Sequence, residues 1–136
     1  MTYAIGASLQ RAVFQHLSGE ADVVELAGPN IFDAVPPGAG PQVFVLIGEE
    51  VVRDRSTKTS FGAHHDFSVS VFADLNGFAT AKQLAAIICD SLLSADLELD
   101  RGRVTGIWFR RASTRRGTAP DRRRVDLIFR AHVEDI

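Results

Sequence analysis

Two segments of the chain alternate apolar and polar residues with the period of a half-buried strand. In Ala63 to Ala73, the residues Phe67, Val69, Val71 and Ala73 alternate with Asp66, Ser68 and Ser70, and only Phe72 breaks the pattern. In Val125 to Val133, Val125, Leu127, Phe129, Ala131 and Val133 alternate with Asp126, Arg130 and His132, with Ile128 the exception. Val43 to Val52 opens on a continuous apolar run, Val43 to Ile47, which predicts a strand buried on both faces or contacted on its outer one. Val104 to Ser113 reads as one more strand. Elsewhere the period becomes helical. Ile5, Leu9, Ala12, Val13 and Leu17 recur at spacings that predict an amphipathic helix over residues 4–18. A stronger stripe, Ala81, Leu84, Ala85, Ile88 and Leu92, predicts a helix over 78–94 with Lys82, Gln83 and Asp90 turned outward.

Breakers and caps set the boundaries. Thr2 is placed to cap the first helix, and Gly19 sits where a left-handed C-terminal residue is wanted. A short helical piece, Glu20 to Ala27, follows and stops at Gly28, Pro29 and Asn30. Ile31 to Val35 reads as a short extended stretch, and Pro36 to Pro41 as a stiff loop rather than a domain linker, because the residues before it are too few to hold a core. Asn76 is the expected N-cap of the later helix. The expected fold is α+β: a four-stranded, mainly antiparallel sheet of two hairpins, with two helices on one face, in the order α-β-β-α-β-β. The chain of 136 residues is expected to form a single domain, 1–136.

Composition adds limits. The hydrophobic fraction of 46% and the charged fraction of 24% suit a globular domain and exclude wholesale disorder. No apolar run approaches the ~20 residues of a membrane helix, so no membrane partner is expected. The N-terminus lacks the basic start and apolar core of a secretory signal. The lone Cys89 allows no internal disulfide and fits a reducing site of synthesis. The net charge of −2 hides a polarity: residues 1–100 sum to −8 and residues 101–136 to +6, and all ten basic residues of the second part are arginine. A chain so polarised suits nucleic acid, or the acidic side of a neighbour.

Catalytic chemistry is poorly supplied. His64 and His65 are adjacent on a strand and so point to opposite faces, and no further ligands stand at metal-site spacing. His16 and His132 read as partly buried structural residues. Cys89 lies near the apolar helix stripe without a base, which favours packing over nucleophilic attack. The acidic pairs Glu49–Glu50 and Asp96/Glu98/Asp100 sit in polar context and read as solvated surface. Gly38 to Gly40 lacks the Lys-Ser/Thr and helix start of a phosphate loop. No enzyme activity, metal or cofactor is expected. The arginines are the signal that remains. Arg110, Arg111, Arg115, Arg116, Arg122, Arg123 and Arg124 gather on one connection with Trp108 and Phe109 at its root, while Arg53, Arg55 and Lys58 mark the earlier polar loop. They read either as a finger making forked contacts to phosphate or carboxylate, or as solubilising charge. No DNA-reading motif is present, so any nucleic-acid contact is expected to be independent of sequence.

The order of these motifs resembles the phage tail-completion or tail-terminator family of siphophages, prophages and gene transfer agents. The resemblance rests on Ser8 to Leu17; on Ile31 to Pro36 leading into Pro41 to Gly48; on His65 to Asp74; and on the helix centred at Lys82 to Ile88. It covers roughly residues 5–95 and extends loosely to the end, and the Arg-rich segment is not general to such proteins. The resemblance implies a non-enzymatic α+β subunit of a hexameric ring at the head-proximal end of a tail tube. Its implied partners are copies of itself, the tail tube protein and the head–tail connector or stopper. It implies residence in a virion or phage-like tail assembled in the bacterial cytoplasm. The ten basic residues named above are then expected at a subunit or tube interface, or along the channel for passing double-stranded DNA. The alternative from a different class is a sequence-independent nucleic-acid-binding module that uses the Arg-rich hairpin.

Overall fold

The alternating segment around Phe67 becomes the centre of a sheet. The computed structural model describes residues 3–34, 41–74, 78–116 and 122–135. Its elements in chain order are α1 (Gly6–Gly19), α2 (Ala21–Ala27), β1 (Ile31–Phe32), β2 (Val43–Asp54), β3 (Phe61–Ala73), α3 (Ala79–Leu93), β4 (Arg103–Arg116) and β5 (Arg123–Asp135). One sheet runs in the order β1-β2-β3-β5-β4. All its pairs are antiparallel except β1–β2.

The α+β class and both hairpins stand as expected. The four-stranded sheet and two-helix order are corrected: among the described residues the sheet has five strands and is mixed, and three helices are present. The added strand is too short to show a period. It is held by long-range pairing, with Ile31 opposite Val45 and the Val45 amide donating to the Asn30 carbonyl at 2.9 Å. The two hairpins meet through β3 and β5. Since β3 and β4 both run antiparallel to β5, they are parallel to each other, and α3 provides the crossover that such a pair requires.

The period of two sorts the side chains. Ala63, His65, Phe67, Val69, Val71 and Ala73 of β3, with Val125 to Val133 at every second position of β5, turn toward the helices. There they meet Ile5, Leu9, Val13 and Leu17 of the first helical segment and Ala81, Leu84, Ile88 and Leu92 of α3 in one core. Phe129, Leu84, Ile88 and Leu92 are fully enclosed, and truncating any one to Ala costs roughly 2–5 kcal/mol. The strands run past the apolar rows, with β2 reaching Asp54 and β4 and β5 paired as far as Arg116↔Arg123, because backbone pairing continues where burial ends.

Helix ends are made by backbone rather than by side-chain caps. None of the three helices has a capping hydrogen bond from its N-cap side chain. Thr2, Asn76 and the loop at 35–40 lie outside the described residues. Gly19 is not left-handed as expected: it closes α1, and extended Glu20 (φ −83°, ψ 114°) makes the break. The positive φ belongs to Gly28 (φ 60°) behind α2 and to Gly102 (φ 75°) before β4. Buried Ser8 fastens α1 to that second bend, its Oγ accepting from the Asp100 amide at 2.8 Å. A Cβ at Gly102 would stand 2.5 Å from the Glu134 carbonyl and 2.6 Å from Ile5 Cδ1. Gly102→Ala is therefore expected to destabilise the fold by roughly 2–3 kcal/mol, from left-handed strain and the clash together. Gly19→Ala, whose Cβ would meet nothing within 4 Å, is expected to change stability by less than about 1 kcal/mol. Denaturant unfolding compares the two.

Candidate interaction surface on the open face of the sheet

The helices cover one face of the sheet, and the other carries the polar half of each alternation. His64, Asp66, Ser68 and Ser70 of β3 and Arg124, Asp126, Ile128, Arg130 and His132 of β5 point there, flanked by β2 and β4. A groove of about 550 Å³ crosses its middle. Gly48, Ser68, Ser70 and Ser113 keep the groove shallow-sided and polar. Arg111, Arg115 and Arg124 line it on the β4–β5 side, and Glu49 on the β2 side.

The sheet separates the ten basic residues singled out in the sequence. The β2–β3 hairpin, with Arg53, Arg55 and Lys58, leaves one end of the sheet, near the row of Ala63. The β4–β5 hairpin leaves the other end, near the row of Ala73, about 33 Å away at the rise of a strand. In the second group, Arg115, Arg116, Arg122, Arg123 and Arg124 stand where that hairpin leaves the sheet, and two members lie further back. Arg110 and Arg111 lie within β4, where Phe109 opposes Phe129 and Arg111 opposes Ile128, with a bulge between. Trp108 and Phe109 lie further back on the same strand, 49% and 45% exposed.

Three arginines are built into the fold. Arg122 is 7% exposed; its Nε and Nη2 donate to the two Asp74 carboxylate oxygens at 2.8 and 3.1 Å, and Nη2 also to the Pro41 carbonyl at 3.2 Å. Its guanidinium lies over Phe44, and that of Arg124 over Phe72, so this stacked pair is buried on a face without helices. Arg124 Nε and Arg115 Nε both donate to Asp126, at 2.7 and 3.0 Å, and Ser70 Oγ donates to it at 2.5 Å. Burial pushes the Asp126 carboxyl up, but Ser70 and the two arginines together hold it below its ordinary range. Arg123 packs over Phe78. These acidic partners were readable only in part: Asp126 and Arg124 share a face by alternation, whereas Asp74 meets Arg122 across strands distant in sequence.

At the opposite end, Arg130 makes a forked pair with Asp66, at 2.7 and 3.0 Å. That hydrogen bonding lowers the Asp66 pKa, and Arg110 and Arg53 add to it from nearby. Burial lowers the His64 pKa, and Arg130, His132 and Arg55 push the same way against the opposing pull of Asp66. His65 points to the opposite side as expected, fully buried, with Nδ1 3.5 Å from Glu50, which also receives the Tyr3 hydroxyl. His16 and His132 bond Ser91 and Thr105, at 2.8 and 2.6 Å. Burial raises the Cys89 thiol pKa, which disfavours the reactive thiolate. Among the described residues, no ion pair engages Arg53, Arg55, Lys58, Arg110, Arg111 or Arg116, and all six are exposed. The arrangement can present cations to an anionic surface; it brings no nucleophile together with a base.

Two outcomes follow from this division. Arg122→Ala is expected to cost roughly 2–4 kcal/mol by stranding Asp74, whereas Arg116→Ala stays within about 0.5 kcal/mol; thermal unfolding separates them. Asp66 and Asp126 have folded pKa values below their unfolded ones, so their stabilisation is complete above the ordinary carboxylate pKa of about 4 and is lost as pH falls through the lower folded values. Stability measured from pH 7 to 2 is expected to drop only below about pH 4, and Asp126→Asn to be less stable at pH 7 with a shallower acid decline.

The family model described as tail completion protein gp17 matches residues 11–134. A solved chain of the virion of a native gene transfer agent particle superposes with a TM-score of 0.90 at 50% identity, covering 98% of this chain and 99% of that one. No curated protein matches. With the match running from α1 to the end of β5, the chain belongs to the tail completion protein gp17 family.

Proposed function

We propose that this chain is a structural protein of a phage-like tail and, within it, the terminator: a hexameric ring at the head-proximal end that stops tube growth and offers the head connector a surface. The observation that carries this reading is the near-complete match, at 50% identity, to a chain of a gene transfer agent virion, joined to membership of a tail completion family. Its partners are then copies of itself, the tube protein and the connector, and its place is the particle. The divided charge supports head-to-tail neighbours, since unlike surfaces of one subunit meet in a ring. The absence of a nucleophile–base pair in the described face fits a role without catalysis.

Six exposed basic residues of β4 and the β2–β3 hairpin that make no ion pair among the described residues favour a second element of the reading. They suit a sequence-independent contact with the phosphates of passing DNA, weakening with salt. The core proposal is tested by depleting the protein in cells that make the particle. Tails of uncontrolled length and heads without tails are the expected result, reversed by re-expression. Particles with tails of normal length, joined to heads, would overturn the assignment.

A further inference from the structure

Among the described residues, both edges of the sheet lack a full strand partner. No described strand pairs with the outer side of β4 along Arg103–Arg116. On the other side, β1 covers β2 only opposite Val45 and Leu46, leaving Gly48 to Asp54 without a described strand partner on that side. Free edges of this length are templates for another strand, and soluble proteins normally shorten or cover them. Here the longer edge also exposes Trp108 and Phe109.

The charges on the two edges are complementary. β4 carries Arg103, Arg110, Arg111, Arg115 and Arg116 and no acid; β2 carries Glu49, Glu50 and Asp54 against Arg53 alone. Pairing β4 with a second β4 sets arginine against arginine. Pairing it with β2 of another copy sets arginine beside carboxylate. The edges thus discourage a two-fold contact and favour a heterologous one.

Strand direction agrees. β2 and β5 run one way, β3 and β4 the other. A copy added in the same orientation therefore brings β2 antiparallel to β4, with all helices on one side of the extended sheet and all open faces on the other. We propose that the chain associates head to tail by strand addition, β4 of one copy pairing antiparallel with the Gly48 to Asp54 edge of β2 in the next. This rests on the ring reading above and gives the ring its bond. Repeated around an axis, it joins the open faces, with their grooves and arginines, into one continuous wall.

Disulfide trapping tests it. Chains carrying Cys89→Ser and Val51→Cys each receive one further cysteine along β4, at Thr105, Ile107, Phe109, Arg111 or Ser113, or at the residues between. Each variant is oxidised as concentrated purified protein and in assembled particles, after circular dichroism has verified its sheet. The expected result is a ladder of covalent multimers that peaks at one β4 position, because only there do the Cβ atoms come within bonding reach. Mixing chains that carry only the β2 cysteine with chains that carry only the β4 cysteine should give dimers and nothing longer. Dimers from the β4 cysteine alone, with no β2–β4 ladder, would overturn the proposal. So would absence of a ladder at every position, in particles and in concentrated protein alike. A ladder from purified protein that never enters particles would uphold strand addition while refuting the terminator assignment.

Discussion

The antiparallel ladder between β3 and β5 places everything else in this protein. It runs without a bulge from Phe61↔Asp135 to Ala73↔Arg123. Because strand side chains alternate, that single register decides which residues meet the helices and which face outward. A slip of β5 by one position would turn Val125, Leu127 and Phe129 out of the core and drive Asp126, Ile128 and Arg130 into it. The ion pairs add a second guard. Arg130–Asp66 and Ser70–Asp126 both cross from one strand to the other, so a misregistered ladder would lose them along with the apolar contacts.

From that ladder the two faces acquire different work. The helix side is apolar and closed, and holds the fold together. The open side keeps its polar groups by pairing some of them internally: Arg122 with Asp74, and Arg124 and Arg115 with Asp126. Arg122 and Arg124 shield Phe44 and Phe72 and fix the end of the sheet where β2 begins. The remaining cations, on β4 and on the β2–β3 hairpin, are left to face whatever lies outside. Arginine is therefore put to two uses within one short segment, and position relative to an acidic partner separates them.

Much of this was legible from the residues in order. The helix stripe at Ala81 to Leu92 and the alternations around Phe67 and Phe129 report local geometry, so they gave the elements directly. Ile31–Phe32 did not announce itself as part of the sheet, because two residues carry no period and their pairing is with a strand distant in sequence. The strand order was hidden for the same reason: nothing local says that β5 inserts between β3 and β4. Nor could the run Arg122, Arg123, Arg124 say which member is buried. That depends on Asp74 and Pro41 arriving from elsewhere.

In the proposed function, copies of this chain form a single ring that ends a tail tube. Quantitative mass spectrometry of purified tails, counting this chain against the tube protein, tests that claim most directly. About six copies per tail, whatever the tail length, is the predicted result for one cyclic ring. A copy number that grows with tail length, or absence of the chain from finished tails, would contradict it.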